Sequence, residues 1–286
     1  MTTTALRPTA PAAPRTASVG LVFGGILSQQ FGAAVAAMVF PLAGALGVVA
    51  LRLTISAVVM LAVCRPAVRG YRRADWAVVV VFGVALAVMN MMFYQAIARI
   101  PLGAAVTLEV LGPLVLSVVT SRRASSWLWA GLALVGVVLL GRGGFDGLDL
   151  VGTAFALGAG ALWAAYIVCS ARAGSRFPKA DGLALAMAVS AVISLPLGLS
   201  GALFHPVTLA LGAAVALLSS ALPYTLELLS LRTLRQSTFA VLMSLAPAVA
   251  ALAGYVVLGQ GLALPDVAAI VLVVVAGIGA VRSAGR

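Results

Sequence analysis

Apolar windows of about twenty residues recur from one end of this chain to the other, separated by short clusters of Arg, Pro and Gly. A window of that length spans a hydrocarbon layer roughly 30 Å thick. That layer holds no water to satisfy backbone N–H and C=O groups, so each window must form a helix that bonds to itself. The expected fold is an all-α integral membrane protein. With 63% of 286 residues hydrophobic and only 9% charged, one soluble core is excluded as the destination of so much apolar surface.

Ten spans are predicted, at 17–38, 47–64, 75–97, 102–120, 126–141, 151–171, 182–203, 207–229, 237–258 and 265–282. Nine is the rival count, because the fourth and fifth spans are short and the eighth and ninth are closely joined. Charge decides between them. With a cytoplasmic N-terminus and ten spans, one side of the membrane receives Arg7, Arg15, Arg65, Arg69, Arg72, Arg73, Arg122, Arg123, Arg172, Arg176, Lys179, Arg232, Arg235, Arg282 and Arg286. The other side receives only Arg99 and Arg142. This is the positive-inside asymmetry, and dropping one span would scramble it.

The net charge of +11 is therefore read as a topology signal, with the lipid bilayer as partner and no nucleic acid expected. Residues 1–16, "MTTTALRPTAPAAPRT", read as a disordered cytoplasmic lead-in. The C-terminus falls on the cytoplasmic side as well. Lys179 is the one lysine in an Arg-, Ala- and Gly-rich chain, a usage that points to a GC-rich gene and a bacterial plasma (inner) membrane.

Ten spans divide into two fives, and an odd number per half places the halves in opposite orientation: 17–141 and 151–282 as inverted five-helix repeats. "LEVLGP" at 108–113 and "LMSLAP" at 242–247 coincide in two Leu and a Pro at an offset of 134 residues, about half the chain.

The ionisable residues inside spans are few. Such groups are costly in hydrocarbon and face a bundle interior or a wet cavity. Glu109 lies in span 4, roughly 10 Å below the outer side, and Arg52 in span 2 at roughly 8 Å, counting about 1.5 Å per residue. Two readings of this pair stay open. In one, a permanent salt bridge staples the two helices. In the other, Arg52 receives a substrate carboxylate and Glu109 the ammonium group, since a guanidinium fork matches a carboxylate.

Glu227, near the cytoplasmic end of span 8, either pairs with Arg232 or Arg235 at the interface or faces the cavity. Pro223, four residues earlier, removes an N–H and frees the Ser219 carbonyl, with the Tyr224 hydroxyl beside it. In span 1, "LSQQF" cannot turn Ser28, Gln29 and Gln30 all to lipid, and Gln30 is the candidate for lining the cavity. In span 3, Asn90 and Tyr94 form a polar stripe at i and i+4. Trp163 and Tyr166 read as aromatic packing, and Gly20 and Gly24 as a close helix approach.

Other chemistry is poorly supplied. His205 is the only His, no phosphate-binding Gly-rich loop of the Walker type occurs, and Asp75, Asp146, Asp149, Asp181 and Asp266 fall at span ends or in loops. No cofactor, no metal and no enzymatic activity is expected; an integral membrane enzyme is the alternative from another class.

The segments "FPLAGALGVVALRL" (40–53), "PLGAAVTLEVLGPL" (101–114), "GTAFALGAGALWAAY" (152–166) and "ALPYTLELLSL" (221–231) resemble the EamA-type drug/metabolite transporter superfamily, and within it the threonine and homoserine exporter branch most. The resemblance covers residues 18–282. It implies ten helices in two inverted repeats and efflux of small amino acids or related metabolites from a bacterial cytoplasm. Two acids common in such domains around the ninth helix are replaced here by Ala246 and Gln260. The expected function is secondary export of a small-molecule substrate by alternating access, threonine or homoserine-like, with another metabolite or drug as the alternative. Proton coupling through Glu109, a homodimer and the driving gradient are left open.

Overall fold

A computed structural model describes residues 15–121, 124–139, 149–178, 180–199, 201–223, 226, 230 and 242–284. Apart from one short 3-10 turn and one π-turn, its elements are α-helices in chain order: α1 Arg15–Cys64, α2 Arg73–Ile97, α3 Leu102–Glu109, α4 Leu111–Ser121, α5 Ala124–Leu139, α6 Leu150–Gly174, α7 Asp181–Gly198, α8 Pro206–Ala216, α9 Ala246–Leu258 and α10 Leu264–Ala284. Among the described residues, four segments are long and apolar enough to cross a bilayer unaided: Ser18–Cys64, Arg73–Ile97, Leu150–Gly174 and Asp181–Gly198. Shorter apolar helices make up the rest.

The first two expected spans are not separated by a loop. Helical hydrogen bonding runs through all of α1, and Gly44 alone leaves helical geometry, at φ 69° and ψ 162°. That conformation is open to glycine and strained for other residues. A straight helix would hold residues 28 and 52 about 36 Å apart. Instead Ser28 Oγ donates to the Leu218 carbonyl at 2.6 Å, and Arg52 Nη2 to the neighbouring Ser219 carbonyl at 3.0 Å. The two limbs of α1 therefore fold back on each other at Gly44, just after Pro41. Span 4 departs from expectation in another way: it is broken at Val110, between α3 and α4.

Helix starts explain the aspartates. Asp149 caps α6 by accepting from the backbone N–H of Gly152 at 2.9 Å, Asp75 accepts from that of Arg72 at 3.0 Å, and Asp266 from that of Ala263 at 2.8 Å. Asp181 opens α7. Carboxylates there satisfy orphan N–H groups and face the positive end of the helix dipole. Asp146 lies outside the described residues.

In lipid the packing of helix on helix relies on close backbone approach, for which small residues serve. The second limb of α1 meets α7 where Gly198 lies against Ala50 and the Leu46 carbonyl. Its first limb meets the end of α8 at Gly32, and α3 meets α9 where Gly103 lies against Ala251. Likewise α5 meets α10 at Gly136 and at Trp129 against Gly279. α2 and α6 pair along their length, from a 3.3 Å ion pair between Asp75 and Arg176, through Phe82 against Tyr166 at 5.1 Å, to Ile100 against Gly152. Tyr166 thus packs as an aromatic, as expected. Among the described residues nothing lies within 4 Å of a Cβ at Gly20, and Gly24 meets the Leu226 side chain at 3.6 Å.

Candidate functional site

Arg52 is the centre of the polar interior. It is only 6% exposed. Its Nη1 donates to Asn90 Oδ1 at 3.0 Å and to the Tyr94 hydroxyl at 3.2 Å, its Nε to Ser220 Oγ at 3.3 Å and its Nη2 to the Ser219 carbonyl at 3.0 Å. Its Cζ also lies 5.5 Å from the Tyr94 ring centroid, within range for a cation–π contact. These four described acceptors are neutral groups. They satisfy N–H donors of the guanidinium, which lowers the cost of burying it.

Each partner is placed by its own element. Asn90 and Tyr94 stand one turn apart on α2, as the i, i+4 spacing predicts, and both face the same Nη1. Asn90 Nδ2 donates to the Leu86 carbonyl at 2.8 Å, which fixes the amide with its oxygen toward Arg52. The Tyr94 ring is fully buried between Phe40 at 5.7 Å and Phe93 at 6.0 Å. Ser219 and Ser220 come from the π-turn Leu217–Ala221 that ends α8. The Ser219 carbonyl, freed by Pro223 as the sequence predicts, is the one Arg52 takes. The Ser220 hydroxyl was not singled out in the sequence, where the only signal is a Ser-Ser pair shortly before a proline.

Glu109 is the last residue of α3, at the break before α4, and is half-buried. Arg52 acts on it electrostatically. No salt bridge of 4.0 Å or less joins the two, the Arg176–Asp75 pair being the one such bridge among the described residues. Arg52 and Glu109 thus share a region without touching, and the staple does not describe them. The Glu109 backbone is fixed against α6: a Cβ on Gly160 would lie 2.5 Å from the Glu109 carbonyl oxygen.

Gln30 is 6% exposed and sits between Ser28 and Gly32 on the first limb of α1, the limb that meets the π-turn; its amide makes no hydrogen bond among the described residues. Tyr224 and Glu227 lie outside the described residues. Gln260, which replaces an acid common in the resembling family, accepts at Oε1 from the backbone N–H of Leu102 at 3.0 Å and so caps α3 from the far half of the chain. Ala246, the other replacement, is buried at the start of α9.

Comparison with known proteins gives three results. The EamA-like transporter family matches residues 150–282. The threonine/homoserine exporter RhtA of Escherichia coli (strain K12) is 42% identical over 240 residues, covering 82% of this chain and 81% of that one. RhtA of Salmonella typhimurium (strain LT2) is 39% identical over 264 residues, covering 91% and 89%. In addition, a solved crystal structure of a protein 22% identical superposes with a TM-score of 0.62 over 93% of this chain and 97% of the other, a likeness of fold alone.

Proposed function

This chain belongs to the EamA-like transporter family, and on that premise we propose that it exports threonine, homoserine or closely related amino acids across a bacterial plasma membrane. The observation that carries the proposal is the buried Arg52, oriented by four described acceptors, with Glu109 in its electrostatic reach and no salt bridge of 4.0 Å or less between the two. A zwitterion fits between two such groups. Its carboxylate takes the Arg52 guanidinium, its ammonium takes Glu109, and each charge meets its complement where water is scarce. Asn90, Tyr94 and Gln30 are proposed to line the site, and Tyr224 and Glu227 keep the binding role expected from the sequence.

Transport proceeds by alternating access between two five-helix repeats, 17–141 and 151–282, in opposite orientation. Three observations support the repeats. The family match begins and ends within a residue of the second repeat. The helix breaks at Val110 and at Ser244 each stand three residues before a proline, Pro113 and Pro247, at the offset of 134 residues found in the sequence. Counting the limbs of α1 as spans 1 and 2, the observed pairs include 1 with 8, 2 with 7, 3 with 6, 4 with 9 and 5 with 10. Advancing every member of these five by five returns the same five, and it carries 3 with 7, at Gly83 against Val189, onto 8 with 2, at Gly212 against Leu51.

With both termini cytoplasmic, reporter fusions after residues 70 and 178 should report the cytoplasm and fusions after 44 and 205 the outside. A cytoplasmic signal at 44 would remove the α1 hairpin as two spans. The function is tested by efflux of a panel of labelled amino acids from vesicles carrying the protein. Threonine and homoserine should leave faster than from empty vesicles; equal rates for every amino acid would refute the proposed substrate class.

A further inference from the structure

The eighth span contains the one described π-turn, and its position relative to Pro223 has a chemical consequence. In an α-helix the N–H of residue 222 would bond the carbonyl of 218, and that of 223 the carbonyl of 219. Neither bond forms. The Leu222 N–H bonds Leu217 O instead, one residue further back, and Pro223 has no N–H. The Leu218 carbonyl is therefore left without a helical donor and the Ser219 carbonyl without its α-helical one, at membrane depth, where an unsatisfied carbonyl is costly.

Both are taken up by α1. Ser28 Oγ, from its first limb, donates to Leu218 O at 2.6 Å. Arg52 Nη2, from its second limb, donates to Ser219 O at 3.0 Å. Gly32 allows this approach, since a Cβ there would overlap the Ser219 hydroxyl and lie 2.9 Å from Leu218 Cβ. One irregular turn thus ties both limbs of the hairpin to itself, and one of the two ties is to the guanidinium.

We propose that the π-turn with Pro223 is the device that aims Arg52, and that Ser28 and Pro223 are positioning residues for recognition of the substrate's carboxylate. The proposal rests on the reading of Arg52 as the carboxylate's partner. The Ser219 carbonyl holds one edge of the guanidinium, and Asn90 with Tyr94 holds the adjoining Nη1, so its plane is set before substrate arrives. A preset fork loses less freedom on binding than a mobile one. Ser28 secures the turn by satisfying the carbonyl next to the one Arg52 uses.

Pro223→Ala tests this without endangering the fold, because Ala is a better helix residue than Pro. It restores an N–H four residues beyond Ser219, in the place to compete with Arg52 for that carbonyl. Two readouts are needed. The first requires no ligand: the rate at which an arginine-selective dicarbonyl reagent labels Arg52 in the purified protein, followed by mass spectrometry of its peptide. The second is the threonine concentration that half-saturates transport, measured with the maximal rate.

Labelling of Arg52 should be faster in Pro223→Ala, and half-saturation should require about tenfold more threonine with little change in maximal rate, as expected for one weakened hydrogen bond to a charged group. Ser28→Ala should move both readouts the same way, and Ser28→Thr, which keeps the hydroxyl, should restore them. Wild-type labelling of Arg52 in both Pro223→Ala and Ser28→Ala overturns the proposal. If the wild-type protein carries no amino acid, the function proposed above falls, and the labelling comparison still decides whether the turn aims Arg52.

Discussion

Glu109→Gln should accumulate in the membrane at the wild-type level and lose transport by roughly 100-fold, the effect of removing a charged partner from a buried ligand group. Yield should survive because no hydrogen bond or salt bridge among the described residues depends on the Glu109 carboxylate. Its removal strands no partner, and it deletes a charge that is costly at that depth. Arg52→Gln should behave differently. It removes donors from Asn90, Tyr94, Ser219 and Ser220 together, and each buried acceptor left without a donor costs about 1–3 kcal/mol. Its yield should fall along with its transport.

The double variant separates the two readings of the pair. Had the two charges formed a staple, either single change would leave a buried charge alone, costing about 3–5 kcal/mol, and the double change would restore folding and function together. With the charges apart, the double variant should keep the yield of Arg52→Gln and export nothing per folded molecule. Recovery of transport in the double variant would return the pair to a structural role.

The largest loss of stability is expected from Gly112→Val. At the crossing of α4 and α6, a Cβ on Gly112 would overlap the Gly160 carbonyl group, and a Cβ on Gly160 would meet the Glu109 carbonyl. The obstructing atoms are backbone on both sides, so no side chain can rotate away to make room. The cost should reach at least about 3 kcal/mol, the upper part of the range for overpacking. The monodisperse fraction on size-exclusion chromatography in detergent measures it. Gly20→Val, with nothing described within 4 Å of its Cβ direction, is the control and should match the wild type. Equal profiles for the two variants would mean that the helices do not cross as closely as described.

Much of this architecture was legible in the sequence because its signals are local. Apolar length marks helices, aspartates mark their starts, and the spacing of Asn90 and Tyr94 puts both on one face of α2. Pro223 announces a freed carbonyl four residues before it, and Arg52 takes it. What the sequence could not carry is pairwise. The fold-back of α1 is expected as spans 17–38 and 47–64, but its turn needs only one non-helical residue, Gly44, where a loop is expected, and that both limbs reach one turn is visible only through Ser28 and Arg52 meeting adjacent carbonyls.

Small-residue packing is pairwise in the same way. Gly20 and Gly24 have the spacing for it, and among the described residues the close approaches fall at Gly32, Gly103, Gly112 and Gly160, each set by what the partner helix presents. Depth along the helices brought Arg52 and Glu109 to the same level, yet depth cannot say whether two side chains touch. Gln260 was noted as a departure from an acidic position, and its service as a cap on α3 depends on a contact across 158 residues of chain.

The claim at the centre of this account is that Arg52 and Glu109 hold the two ends of a zwitterion. Competition against efflux of labelled threonine in vesicles tests it most directly, with two analogues that each lack one end. Threonine amide keeps the ammonium and has no carboxylate; 2,3-dihydroxybutanoate keeps the carboxylate and has no ammonium. The account predicts that unlabelled threonine competes and that both analogues compete at least about tenfold more weakly, each having lost one charge-assisted contact. If either analogue competes as well as threonine, the residue assigned to the missing end does not bind it, and the zwitterion site is contradicted.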